Sequence, residues 1–326
     1  MKLKLLLIFI LSFSLLVVGC DSEPTEIEEI TIGYFPNLPH APGIIGDAEG
    51  IFESKFAEKN IDVKVETFPR GSLFMDALAT EQIDIGYVGP GPVLNRHFQG
   101  DSVTMLSNAS IGGNVIVSAN DDFKTADDLS NKSISTPGIA CSHDIVLRQW
   151  MWNNDLAMEN RGGNIEHIIQ DPANMMGLFE QDEVQAAAVS EPWATLMEKD
   201  IDANIMVEWN DMPWDGHMPA TVTATRDDFI TEHPELVDTF LKAHEESITF
   251  INENREESIQ LVQKEIKRIT DQKLEIDVLE SSWDRSEFIS DLDSEIIQNL
   301  ADILYEIDAI DSDNDIEGLI DTRYLN

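Results

Sequence analysis

Gln82–Leu94, QIDIGYVGPGPVL, is the stretch on which the reading of the fold turns. Ile83, Ile85 and Tyr87 alternate with polar or small residues, the period of a strand. Gly89-Pro90-Gly91-Pro92 then breaks the run, and helix-forming residues follow. The pattern predicts a short strand, a tight turn and a helix whose first turn lies at the strand's end. A proline at a helix start loses nothing, because the N–H it lacks would have had no partner there. The remaining N–H groups and the helix dipole offer a seat for an anion that needs no charged side chain.

The unit recurs. MDALATEQIDIGYVGPGP (Met75 to Pro92) aligns without gaps on MGLFEQDEVQAAAVSEPW (Met176 to Trp193). Each copy has a helix end, an acidic break, a short apolar strand, a small-residue turn and a proline at a helix start. Two copies predict two similar α/β lobes whose helix N-termini face one cleft, which suits a binder.

The N-terminus, MKLKLLLIFILSFSLLVVGC, sets the expected compartment. Lys2 and Lys4 precede an apolar run, Leu5 to Val18, too short for a comfortable membrane span. Val17-Val18-Gly19-Cys20 resembles a bacterial lipobox, which implies a signal peptide over 1–19 and lipidation of Cys20. Residues 20–29 then form an acidic tether, and the protein is expected outside the cytoplasm, held at the membrane by its lipid. An uncleaved anchor would place it on the same side.

The rest of the chain exceeds what one core usually holds, so two domains are expected. With 42% hydrophobic residues it is globular. The formal charge is −41, with acids spread through every region, which excludes nucleic-acid binding and implies a surface suited to salt. Cys20 and Cys141 are the only cysteines, and with Cys20 lipidated no intrachain disulfide is expected.

Taken in order, strands are expected at 28–35, 61–68, 83–87, 102–109, 114–118, 132–136, 164–170, 184–189, 203–208 and 220–225, with helices between the earlier ones. Ser142 is read as the N-cap of one of these helices, with Asp144 in its first turn. From Pro234 to Ile310 the chain reads as helix, with Leu236, Phe240, Ala243, Ser247 and Phe250 on one face. The fold class is therefore α/β, with mainly parallel sheets and a helical C-terminal part, and ligand sites outside the strand ends.

Cys141 and His143 are the one pair that suggests nucleophilic catalysis, an exported thiol enzyme being the reading from another class. No third orienting group is visible beside them. The seven histidines are scattered without a ligand-spaced pair, and DSDND (Asp311 to Asp315) lacks the glycine and glutamate of a calcium loop. No metal and no cofactor are expected. Of the six tryptophans, Trp193 is the one placed by a turn to line a cleft, while Trp150 and Trp152 read as core.

The runs NLPHAPGIIGDAEGIFES, ALATEQIDIGYVGPGPVLNRHFQG, SIGGNVIVS, VSEPWATL and HPELVDTFLKAHEESITFINEN resemble the substrate-binding proteins of nitrate/sulfonate/taurine-type ABC importers, with the aliphatic-sulfonate receptors as the nearest pattern. The resemblance covers nearly the whole mature chain. It implies a two-lobed periplasmic-binding-protein-like fold (type II) with two crossover strands. Lobe 1 would take 30–117 plus 222–326 and lobe 2 would take 118–221, closing about a hinge near Val117 and Thr221.

Carried over position by position, the resemblance implies ligand contacts at Asn37, His40, Gly89, Pro90, Gly91, Gly112, Gly113, Cys141, Ser142, His143, Glu191, Trp193 and Thr221. Arg70 stands where relatives carry a small residue and is a further candidate for contact with an anion. Cys141-Ser142-His143 replaces a more polar run of the relatives. The implied function is a lipid-anchored monomer that captures a small organic anion, an aliphatic sulfonate, and presents it to an ABC permease with its cytoplasmic ATPase. Nitrate, bicarbonate, taurine or a thiamine-precursor pyrimidine are the alternative cargoes on the same fold.

Overall fold

The computed structural model describes residues 27–119, 123–311 and 314–325. The expected signal peptide and Cys20 lie outside them, as does part of the acidic tether. Among the described residues no helix is long and apolar enough to cross a membrane.

Strand and helix alternate from the start: β1 (Glu29–Tyr34), α1 (Ala41–Ala48), α2 (Ile51–Ala57), β2 (Asp62–Thr67), α3 (Gly71–Ala79), β3 (Ile85–Val88), α4 (Pro90–Phe98) and β4 (Val103–Gly112). The middle of the chain gives β5 (Asn114–Ser118), β6 (Ser133–Thr136), α5 (Ser142–Asn153), β7 (Glu166–Ile169), α6 (Pro172–Glu180), β8 (Ala186–Ser190), α7 (Trp193–Ile201) and β9 (Asn204–Val207). Then follow β10 (Pro219–Arg226), α8 (Asp227–Glu232), α9 (Pro234–Glu253), α10 (Arg255–Thr270), α11 (Ile276–Asp284), β11 (Ser286–Glu287) and α12 (Ser294–Glu306).

The strands form two sheets with orders β11-β4-β10-β3-β1-β2 and β7-β6-β8-β5-β9. In the first, β1 pairs parallel with β2 and β3, and β10 runs antiparallel to β3 and β4. In the second, β6 pairs parallel with β7 and β8, and β5 runs antiparallel to β8 and β9. The two patterns are equivalent, with β5 standing in the second sheet where β10 stands in the first. The repeat seen in the sequence is this equivalence: α3-β3-α4 in one sheet and α6-β8-α7 in the other.

Each of those equivalent antiparallel strands is reached by crossing over from the other sheet. The first crossing falls at Gly113, between β4 and β5, rather than after Val117; the return falls between Val207 and Pro219. Gly112 and Gly113 have φ of 78° and 71°, a left-handed bend that side-chain-bearing residues resist. That bend ends one strand and starts the other, so Asn114 to Val117 belong to the second sheet.

The pairing of β1 with β3 depends on small residues, since a Cβ on Gly86 would run into the Gly33 backbone. Apolar residues of α1, α2, α9 and α10, such as Phe52, Phe240 and Val262, bury one face of the first sheet. Met175, Met197 and Ala194 do the same for the second. A third apolar cluster runs from Met75 and Val88 through Ile297 and Leu300 of α12 to Val146 and Trp150 of α5, joining the two halves. The C-terminal helices thus brace the lobes as well as extending the first. The predicted inner face of α9 is buried at Leu236, Phe240, Ala243 and Ser247.

Candidate functional site

The site is built where strands end. After β1 the chain turns through Phe35 and Asn37, and the His40 ring stacks on Phe35 at 4.2 Å between centroids. His40 Nδ1 accepts the Phe35 N–H at 3.3 Å, so the neutral ring carries its proton on Nε2. Burial pushes the His40 pKa down to about 3, which keeps the ring neutral.

Across from it, β6 leads into α5. Cys141, not Ser142, is the N-cap residue: Ala140 takes a left-handed φ of 58° and Cys141 is extended, so Ser142 is already the first helical residue. The bend is held by Asp144, whose buried carboxylate accepts the Ala140 N–H at 2.8 Å and pairs with Arg148 Nε at 2.9 Å. The Cys141 thiol donates to the Gly138 carbonyl at 3.0 Å, and its Sγ lies 3.8 Å from His143 Nδ1. Burial pushes the thiol pKa up to about 11 and the His143 pKa down to about 4. The sulfur is therefore a thiol at neutral pH, and the imidazole is uncharged.

These loops border a cavity of about 180 Å³. Of the residues expected from the sequence, Asn37, His40, Gly89, Cys141, Ser142, His143 and Thr221 line it. Phe35, Pro39, Gly71, Pro92, Asn114, Ser190 and Ala220 complete the wall. No Lys, Arg, Asp or Glu is among them. Asn37 Oδ1, His143 Nε2 and Thr221 Oγ1 are buried without a hydrogen-bond partner, one from each lobe and one from the returning strand β10. Unmet polar groups cost about 1–3 kcal/mol each when buried, so three around one cavity mark a place suited to a polar ligand or to water.

The other expected positions sit elsewhere. Pro90 and Gly91 lie behind Gly89, and a Cβ on Gly91 would stand 3.3 Å from the Ala140 carbonyl of the opposite lobe, so the lobes touch here. Gly112 and Gly113 form the crossing next to Asn114. Arg70 is exposed, just before Gly71 at the start of α3. Glu191 is buried, but its carboxylate accepts from Arg285 Nη1 at 2.9 Å, Ser282 Oγ at 3.1 Å and the Thr195 N–H at 3.1 Å. Trp193, half-buried, packs on the far side of the second sheet with the cluster of Val115 and Met197. Ser190 was not anticipated, yet the gapless repeat aligns it with Gly89, so the signal was there. Phe35 and Asn114 carried no such mark. Among the described residues no group of three or more His, Cys, Asp or Glu is placed to hold a metal ion.

Residues 23–264 match the profile of the NMT1-like family. The chain belongs to this family. A Bacillus subtilis protein named for binding aliphatic sulfonates is 26% identical over 327 residues, covering 98% of this chain and 95% of the relative. Among solved structures, the periplasmic aliphatic sulphonate binding protein SsuA from Escherichia coli superposes with a TM-score of 0.77 at 19% identity, covering 90% of this chain and 92% of that one. The periplasmic nitrate-binding protein NrtA from Synechocystis PCC 6803 gives 0.69 at 16%, covering 92% and 87%. This NMT1-like chain therefore has the periplasmic-binding-protein fold, and all three of these similar proteins are binding proteins by name rather than enzymes.

Proposed function

We propose that this chain is the extracytoplasmic substrate-binding component of an ABC import system. It captures a small organic anion, an aliphatic sulfonate, between its two lobes and presents the closed complex to a membrane permease driven by a cytoplasmic ATPase. The observation that carries this reading is the trio of buried, unpartnered polar atoms, Asn37 Oδ1, His143 Nε2 and Thr221 Oγ1, around one cavity between the lobes. A sulfonate accepts from the Thr221 hydroxyl, from His143 with its proton on Nε2, and from Asn37 once the amide is turned so that Nδ2 replaces Oδ1. It then ties both lobes and β10 together, which is what a receptor that signals occupancy by closing needs. The lobes are the two sheets with their helices, and they pivot at Gly112-Gly113 and along 208–218. The match to a sulfonate-binding relative along almost its full length supports the cargo class.

No side-chain cation lines the cavity. The negative charge is met by the start of α5, whose Ser142 and His143 N–H groups lie at the positive end of a helix, and by the Thr221 hydroxyl. Phe35, Pro39 and Pro92 wall the alkyl part. About 180 Å³ suits a chain of few carbons. Cys20 lipidation holds the receptor at the membrane, and it works as a monomer.

Thermal-shift titration of the full chain with ethane-, butane- and octanesulfonate, taurine, nitrate and bicarbonate tests the proposal. The short sulfonates are expected to raise the melting temperature, by about 2.7 kcal/mol of stabilisation at a hundredfold excess over the dissociation constant. Stabilisation by nitrate or bicarbonate alone would replace the cargo. No shift with any of them would end the receptor reading for small anions.

A further inference from the structure

Behind the cavity, Arg285 joins the two lobes at their crossing. It follows α11 and precedes β11, whose Ser286 and Glu287 pair with Gly112 and Ile111 of β4, so its backbone belongs to the first lobe. Its carbonyl accepts the Gly113 N–H at 2.6 Å. Its guanidinium reaches only into the second lobe. It holds Glu208, just past β9, through Nε at 3.0 Å and Nη2 at 3.2 Å. Nη1 meets Glu191 at 2.9 Å and Glu198 of α7 at 2.8 Å. The planar fork suits such divided binding, which a lysine ammonium cannot reproduce.

The clasp touches the cavity through the backbone. Glu191 follows Ser190 and Gly113 precedes Asn114, and both Ser190 and Asn114 are cavity wall. The Glu191 N–H also donates to the Gly113 carbonyl at 3.0 Å, so the three backbones meet at one point. We propose that Arg285 is a positioning residue for the ligand site: by gripping Glu191, Glu198 and Glu208 at the crossing it limits how far the lobes swing apart and sets Ser190 and Asn114 for the ligand, whose binding completes the closure. Glu191 then acts on the ligand through Arg285 and its neighbour, not by touching it.

Three carboxylates share one cation here, so the contact depends on Arg285 alone for its positive charge; the nearby Lys199 is paired to Asp277 at 2.5 Å. Small-angle scattering of the full chain without ligand reads the lobe relation directly, so its outcome stands whether or not a sulfonate is the cargo. R285M is expected to raise the radius of gyration, and R285K to fall between it and the parent. Because R285M could simply fail to fold, E208Q is the milder companion, expected to open the chain partway. The double variant R285M/E208Q is expected to be no more open than R285M. If the closed form of R285M drops to about a tenth of the molecules, the apparent affinity for ethanesulfonate falls about tenfold. Scattering curves of E208Q and R285K that overlay the parent would overturn the proposal. So would an R285M/E208Q opening equal to the sum of the two single changes.

Discussion

The two copies of the helix–strand–helix unit end in opposite ways. At α4 the turn Gly89-Pro90-Gly91 has no side-chain cap and borders the cavity. At α7 the aligned turn Ser190-Glu191-Pro192 brings its own carboxylate, which accepts the Thr195 N–H and turns toward Arg285. One helix start faces a neutral chamber, whereas the other is filled from within and joined to a cluster of charges. The duplicated backbone is thus used once for ligand and once for holding the lobes. The lobe-two contact that α7 does not supply comes instead from α5, through Cys141, Ser142 and His143. This α5 follows β6, the counterpart of β1, and β1 leads to Asn37 and His40. The cavity is therefore framed chiefly by the loops after the equivalent strands β1 and β6, with Gly89 and Ser190 at its sides.

The sharpest way to break the comparison is to fill the open end and disturb the closed one. A leucine in place of Gly91 would push against Ala140 and Ser142 across the lobes, where a Cβ alone is already at 3.3 Å from the Ala140 carbonyl. Overpacking of this kind costs about 1–3 kcal/mol. Here it falls on the closed state, so G91L is expected to weaken ligand binding by about 100-fold while leaving each lobe folded. Trp193→Phe at the other copy is expected to leave affinity within about twofold and to lower the melting temperature instead, because Trp193 packs against Val115 and Met197. Isothermal titration with melting curves on both variants decides it. A large affinity loss in W193F, or none in G91L, would reverse the assignment of the two ends.

A smaller effect is expected at Thr221. Its Oγ1 has no hydrogen-bond partner within the protein, and the residue is fully buried in β10. Removing a buried unmet hydroxyl relieves a cost in the free protein and removes a bond from the complex. Thr221→Val should therefore raise the melting temperature without ligand and lower affinity about tenfold. A structural threonine would lose stability and keep affinity. The opposite signs make the two roles separable with one variant.

Much of this architecture was legible because period and punctuation are local properties. The alternation at Ile83, Ile85 and Tyr87 and the prolines after Gly89 fix a strand and a helix start wherever the chain lies. The repeat supplied the equivalence of the sheets. What local pattern could not show is where a side chain goes once the lobes meet. Glu191-Pro192-Trp193 reads like Gly89-Pro90-Gly91 in turn chemistry, yet the nearby Arg285, far along the sequence, draws the Glu191 carboxylate away from the chamber. Cys141 displaces Ser142 as the cap because Asp144, four residues on, turns inward to accept the Ala140 N–H and bends the backbone there, a choice of direction that residue type alone does not reveal. The glycine pair at 112–113 announced a bend, but whether the strand after it rejoins the same sheet is decided by its partners, β8 and β9.

The smallest expected change in affinity, none, separates the neutral chamber from the charged clasp by pH. His40 and His244 are buried, and burial pushes their pKa values down to about 3 and about 4 from the ordinary histidine value of about 6.5. His244 sits uncharged between the Tyr87 hydroxyl at 3.1 Å and the Asn108 carbonyl at 2.8 Å. Between 6.5 and these lowered values the unfolded chain binds more protons than the folded one, so stability is complete above pH 6.5 and is lost as pH falls. By pH 5 each of these two histidines is expected to have removed about 2 kcal/mol. Affinity should behave differently. His143 in the chamber wall is also held neutral, near 4, so from pH 6.5 to 8.5 a sulfonate meets the same uncharged groups and its dissociation constant stays level. Were a protonated His143 the counter-charge of the ligand, binding would strengthen steadily on acidification through that range. Level affinity beside a melting temperature that drops only below pH 6.5 is the pattern of an anion held by helix N–H groups and hydroxyls, with full charges kept for the clasp behind it.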